Sequence, residues 1–155
     1  MKSLFKQISA DELFSRPAFG LLDVRAEVEF EDGHLPLSVN IPLLKNQERH
    51  EVGIVYKTEG QSAAVALGYA LVSPHRIERV NAWKSFLSGQ SFPVLTCFRG
   101  GMRSEIAQSW LAEAGVDCAR VRGGYKAMRR LLIQEWNKPL SGFVVTGLTG
   151  VNKTG

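Results

Sequence analysis

Short apolar runs alternate along this chain with longer stretches of helical periodicity. Gly20-Leu-Leu-Asp-Val24, Val39-Asn-Ile41, Val94-Leu-Thr96, Cys118 to Val121 and Phe143-Val-Val-Thr146 are each too short for a helix and nearly free of charge in their interiors. Such runs predict strands of a buried parallel sheet, apolar on both faces. Between them, Ser9-Ala-Asp-Glu12 has the capping-box pattern and opens a short helix, Asp11 to Phe14, that Pro17 stops. Thr58-Glu-Gly-Gln61 repeats the pattern, and the run Ser62 to Val72 after it is apolar on nearly every side, which predicts a helix with most of its surface buried. Ile77, Val80, Trp83, Lys84 and Leu87 fall at helical spacing. A further helix is expected from Ser104, its cap, to Glu113 with Gly115 as its stop, and another from Tyr125 to Trp136 after the Gly123-Gly124 turn. Arg25 to Gly33 reads as an acidic loop, and Lys45 to Tyr56 is polar with no clear period. Strands and helices in alternation give an α/β fold with a central parallel sheet and helices on both faces.

Composition narrows the class. At 155 residues, 45% hydrophobic and 22% charged, with a mean hydropathy of −0.06, the chain is globular in character and not disordered, collagen-like or coiled-coil. Two cysteines cannot build a disulfide framework, the opening Met1 to Leu13 lacks the apolar core of a signal peptide, and no run of 18 apolar residues occurs. A soluble, reducing, cytoplasmic setting is the expectation, with no membrane partner. Charge is divided unevenly: residues 1–60 hold 7 basic and 10 acidic side chains, residues 61–155 hold 12 and 5. Arg120, Arg122, Lys126, Arg129 and Arg130 form the densest basic stretch, suited to phosphate or a polynucleotide. From charge alone a solvated helix face is the simpler reading.

The segment richest in chemistry is Cys97-Phe-Arg-Gly-Gly-Met-Arg-Ser104. A cysteine at a strand end leads through paired glycines into a helix start. The glycines let successive N–H groups turn inward, the helix N-terminus adds positive potential, and Arg99 and Arg103 add charge. Such a loop suits an anion held beside a thiolate. The candidate nucleophile is Cys97, and the candidate anion-binding residues are Phe98, Arg99, Gly100, Gly101, Met102, Arg103 and Ser104. Asp23 and Arg25 are expected to brace a loop as a hydrogen-bonded pair, His34 to be structural, and Cys118 to be a buried inert thiol. Arg49, His50 and Lys57 are read as able to reach RNA or as a solvated loop.

Two families use this design. The spacing Cys97, five residues, Arg103, Ser104 fits the protein tyrosine phosphatase loop, although Thr96 stands where those enzymes place His and no aspartate is placed as their general acid. The rest of the chain resembles rhodanese domains. Asp23-Val-Arg25 with Glu29-Phe30, Gly33-His-Leu-Pro36, Asn40-Ile-Pro42 and Gly123-Gly124 match that family's elements over about residues 5–136, with a cysteine loop one residue longer than usual. More narrowly, the cysteine loop, Glu48-Arg-His-Glu-Val-Gly53 with Tyr56-Lys57, and Gly123 to Arg129 resemble the tRNA 2-selenouridine synthase family. That resemblance implies an N-terminal rhodanese domain joined to a C-terminal P-loop domain, with tRNA and selenophosphate as partners. It implies that selenium replaces the sulfur of 2-thiouridine at the wobble position, with geranyl diphosphate as a second co-substrate and no bound cofactor or metal. Cys97 would carry the chalcogen as a persulfide or perselenide, and Lys126, Arg129 and Arg130 would face tRNA. A generic thiosulfate sulfurtransferase, a cysteine phosphatase of the same fold and a non-catalytic rhodanese-like binding module stand as alternatives.

Gly147, Gly150, Lys153 and Thr154 follow the last predicted strand in an incomplete phosphate-loop pattern, with Asn152 where its second glycine belongs. The expected organisation is therefore a rhodanese-like domain over residues 1–138, then a linker and the start of a truncated P-loop domain over 139–155.

Overall fold

The computed structural model describes residues 6–139. The predicted strand at 143–146 and the phosphate-loop residues Gly147, Gly150, Lys153 and Thr154 lie outside the described residues. Five strands, β1 (Gln7–Ile8), β2 (Gly20–Asp23), β3 (Val39–Asn40), β4 (Pro93–Thr96) and β5 (Ala119–Val121), form one sheet in the order β1-β5-β4-β2-β3, every pair parallel. Leu21 pairs with Val94 and Leu22 with Leu95. Because side chains alternate across a strand, the first pair and the second face opposite layers. Leu22 and Leu95 join the core beneath α4 (Gln61–Val72), α5 (Arg76–Leu87) and α6 (Met102–Glu113). Leu21 and Val94 join the core beneath α1 (Ala10–Phe14) and α7 (Gly124–Trp136). The expected α/β architecture with helices on both faces is what the chain adopts.

Several local expectations change. Residues 25–33 are not a plain loop: α2 (Glu27–Asp32) forms there, its entry held by the Glu29 carboxylate accepting from the Ala26 N–H at 3.0 Å. An acidic first turn favours a helix start through the dipole, which the missing apolar period concealed. The polar stretch becomes α3 (Asn46–Glu59), fixed to the body by Arg79, which donates to the Leu43 carbonyl and to Glu48 at 2.7 and 2.9 Å. Thr58 caps nothing; its hydroxyl donates back to Ile54 O inside α3, and Gly60 with φ +93° makes the corner into α4. Nor is α4 mostly buried. Only Ala64 and Val72 are, because α4 packs chiefly on α3 as a hairpin standing against one edge of the body. In α5, Val80, Trp83 and Leu87 are buried but Ile77, in its first turn, is exposed. Ser104 is not a cap either: Gly101 precedes α6 and Ser104 is buried in its first turn, its hydroxyl donating to Gly101 O at 2.8 Å.

Candidate functional site

The loops that leave β2, β4 and β5 converge at the carboxyl ends of those strands, where open parallel sheets bind ligands. The central one is the cysteine loop. Cys97 follows β4 directly and its side chain is buried, with Sγ 3.3 Å from Ser104 Oγ and 4.0 Å from Gly101 O. The backbone N–H groups of Phe98 through Ser104 have no acceptor among the described residues, the first bond of α6 being Glu105 N–H to Gly101 O at 3.1 Å. A run of unpaired amides between a cysteine and a helix N-terminus is an arrangement suited to stabilising negative charge.

What holds the loop curled is the turn after β5. Tyr125 N–H donates to Cys97 O at 2.9 Å and Lys126 N–H to Phe98 O at 3.0 Å, so the first turn of α7 takes the loop's carbonyls. Gly100 has φ +70°, and a Cβ there would stand 2.9 Å from Val121 O. Gly124 has φ +61°, and its Cβ would stand 2.4 Å from Cys97 O. Gly100 and Gly124, one from each glycine pair read in the sequence, are thus two halves of one close approach. Arg120 completes it. Buried in β5, it donates to Gly100 O at 2.8 Å and meets Glu105 at 3.1 Å, turning that carbonyl away from the cradle. It therefore does not belong to the outward basic stretch, while Arg122 remains exposed beside Gln7.

The second layer is built on β2. Arg25 forks onto Asp23 at 2.7 to 3.0 Å, donates to Glu29 O at 3.1 Å and Gly33 O at 2.9 Å, and lies 4.0 Å over the Tyr125 ring. Asn40 donates to the carbonyls of Asp23 and Arg25 at 3.0 and 2.9 Å. The brace expected of Asp23 and Arg25 is present, as is the structural His34, whose Nδ1 lies 2.8 Å from Phe30 O with the two rings stacked. A residue the sequence left without a role emerges here: Glu29 receives Arg103 at 2.6 and 3.1 Å and Arg49 at 3.2 Å. Burial pushes the Glu29 carboxyl up, but the hydrogen bonds and charge of Arg103, the Ala26 N–H and Arg49 outweigh it, leaving the group below its ordinary range. Burial likewise works against the Arg103 guanidinium. Glu29 overcomes this, with Cys97 and Asp23 adding to it, and raises Arg103 above its ordinary value. Arg103 is thus held at the cradle's wall by a carboxylate and is not a free positive arm. The sequence marked Glu29 only as part of the signature with Asp23 and Arg25; its role as the partner of Arg103 rests on a pairing across 74 positions.

Outside the loop lies an open cleft of about 680 Å³ lined by Arg25, Arg49, Phe98 and Arg99 on one side and by Tyr125, Lys126, Arg129 and Arg130 on the other. The three basic residues of α7 therefore share one opening with Phe98 and Arg99. Met102 is exposed at the first turn of α6 and faces a different, apolar groove against α3 and α4. Cys118 sits at the opposite end of the sheet from Cys97, buried ahead of β5, and burial together with Asp117 pushes its thiol up to about 12. No helix among the described residues is long and apolar enough to cross a membrane, and no three His, Cys, Asp or Glu side chains there gather as a metal site.

Comparison with known proteins agrees with this geometry. The model of the rhodanese-like domain family matches residues 6–131. A protein of Sulfurovum sp. (strain NBC37-1) named tRNA 2-selenouridine synthase is 51% identical over 138 residues, which are 86% of this chain and 38% of that protein. One of the same name from Chromohalobacter salexigens is 50% identical over 147 residues, 92% of this chain and 39% of the relative. The chain thus spans under two fifths of the length of these relatives. Among solved structures, the "N-terminal domain of putative ATP/GTP binding protein from Clostridium difficile 630" superposes with a TM-score of 0.76 at 32% identity, covering 83% of this chain and 99% of that one. The rhodanese-like domain of an Anabaena protein superposes with a TM-score of 0.52 at 19% identity, which speaks to the fold alone.

Proposed function

The chain belongs to the rhodanese-like domain family, and from that premise we propose that it is the chalcogen-carrying domain of a tRNA 2-selenouridine synthase. What supports this most is the cradle of unpaired N–H groups from Phe98 to Ser104 closed around Cys97. Cys97 is the nucleophile. Its Sγ attacks the outer chalcogen of a donor such as thiosulfate. The S–S bond to Cys97 forms as the donor's own S–S bond breaks, and sulfite leaves with the electron pair. The outer sulfur of the resulting persulfide holds negative charge beside the loop's unpaired amides, donors fixed before the reaction starts. Ser104 Oγ, 3.3 Å from Sγ, supplies a further hydrogen-bonding partner to the sulfur. Arg103, oriented by Glu29, and Arg99 at the rim add positive potential.

The RNA substrate in this reading is tRNA bearing the wobble 2-thiouridine, with Lys126, Arg129 and Arg130 meeting RNA phosphates around the cleft mouth. Selenophosphate and geranyl diphosphate are co-substrates, and the remainder of the longer relatives supplies a P-loop domain.

The test is the Cys97→Ala change placed in the whole enzyme. We expect conversion of 2-thiouridine to 2-selenouridine to stop while tRNA binding persists, since the substitution leaves the cleft cations untouched. Retained selenation would remove covalent carriage at this loop. Hydrolysis of an aryl phosphate that depends on Cys97 would place the chain with the cysteine phosphatases instead.

A further inference from the structure

Resting on that RNA reading, we propose that the outer face of α7 is a stacking subsite for unpaired nucleotides flanking the modified base, centred on Trp136. Tyr125, Arg129, Leu132, Ile133 and Trp136 recur at helical spacing and form one stripe. Its first member sits at the cysteine loop, with Tyr125 N–H on Cys97 O at 2.9 Å. Its last lies 11 residues on, roughly 16 Å along the helix. That reach matches a few stacked nucleotides.

The stripe is apolar where a folded surface is ordinarily covered. Trp136 is 89% exposed, while Trp83 and Trp110 are 0% and 7% exposed. Leu132 and Ile133 are each 42% exposed. Together with His34, Leu35 and Pro36 they line a shallow pocket of about 280 Å³ that shares Tyr125, Arg129 and Ile133 with the basic cleft. A cationic groove opening onto a surface with an exposed indole is what single-stranded nucleic acid uses: phosphates meet the cations, and base faces meet aromatic rings without regard to sequence. Charge complementarity selects the occupant. Arg129 lies in both openings, and Lys126 and Arg130 flank the first. An uncharged apolar peptide would gain nothing from those charges.

Tryptophan fluorescence tests this, because only Trp136 among the three tryptophans is open to a ligand. The chain is titrated with a synthetic RNA hairpin bearing an unpaired loop, and with a fully paired RNA duplex of equal length. The expected result is quenching by the hairpin, little by the duplex, and none when the hairpin is added to Trp136→Phe, whose two remaining indoles are buried. Trp136→Ala should weaken hairpin binding by about fivefold or more, with duplex binding unchanged. Because Trp136 is exposed, neither variant threatens the core, and an unchanged melting curve checks this. Equal binding of hairpin and duplex without quenching, still lost on replacing Lys126, Arg129 and Arg130, would overturn the stacking subsite and leave the RNA reading intact. Absence of any RNA binding would overturn both. A sedimentation shift to dimer that Trp136→Ala abolishes would overturn the subsite in favour of a second copy.

Discussion

Cys97 and Cys118 share one hydrophobic core but lie at opposite ends of the sheet. Cys97 leaves the carboxyl end of β4 into a ring of amides, whereas Cys118 enters β5 from the other end of the sheet with its thiol pushed up to about 12 by burial and by Asp117. Thiolate is the reacting form, so iodoacetamide at neutral pH should label Cys97 well before Cys118 in the folded protein. Peptide mapping after a short exposure checks it, and equal labelling would contradict the loop's role. Glu29 is a second decisive residue. Its carboxyl is held below the ordinary 4.5 by Arg103 and its neighbours, in spite of burial. A depressed acid contributes stability above its unfolded value and loses it as pH falls through the folded one. Glu29→Gln, which leaves Arg103 with a poorer partner, should therefore destabilise the fold at pH 7 by roughly 1–3 kcal/mol. The difference from the parent should shrink once pH drops below 4.5 toward the lowered native value. Urea melts at the two pH values give the answer, and a penalty constant with pH would mean the ion pair contributes nothing.

At the scale of elements, the two glycine turns govern the site more than any helix does. A Cβ at Gly124 would stand 2.4 Å from Cys97 O and 2.5 Å from Gly100 N, at φ +61°. Gly124→Ala should cost roughly 2–5 kcal/mol from left-handed strain and overpacking together, and it should open the loop. Gly53, within α3, has nothing within 4 Å of its would-be Cβ, so Gly53→Ala should instead stabilise by about 0.5–1 kcal/mol. Thermal melts of the pair decide whether glycine content or glycine geometry matters. These contrasts mark how far the sequence could be read. Strand, cysteine, Gly100-Gly101, Arg103 and helix stand consecutively, so the loop was legible from order alone. The helix α2 was not, because its half-buried anchor is Glu29 meeting an arginine 74 positions on, and the helix carries no apolar period. The same blindness hid Arg120, which reads as one more surface cation until β5 carries it under Gly100. The apolar run of α4 misled for the converse reason: it packs on α3 at the molecule's edge and leaves Tyr69 exposed.

At the scale of the molecule, the parallel sheet collects three carboxyl-end loops around one opening, and α7 extends its rim with Lys126, Arg129 and Arg130. Replacing these three together with Ala should weaken RNA binding and lower the slope of log affinity against log salt by about 2 for a single-stranded target. An unchanged slope would make them a solvated face. All of this geometry serves one claim, that Cys97 carries a chalcogen atom held by the loop amides. Intact-mass and peptide mass spectrometry of the chain after incubation with thiosulfate tests it most directly. The expected result is one added sulfur on the Cys97 peptide, none on Cys118, removal of that sulfur by cyanide, and no adduct in Cys97→Ala. An unmodified Cys97 in a protein whose Cys97 alkylates readily, or an adduct that survives the Cys97→Ala change, would contradict it.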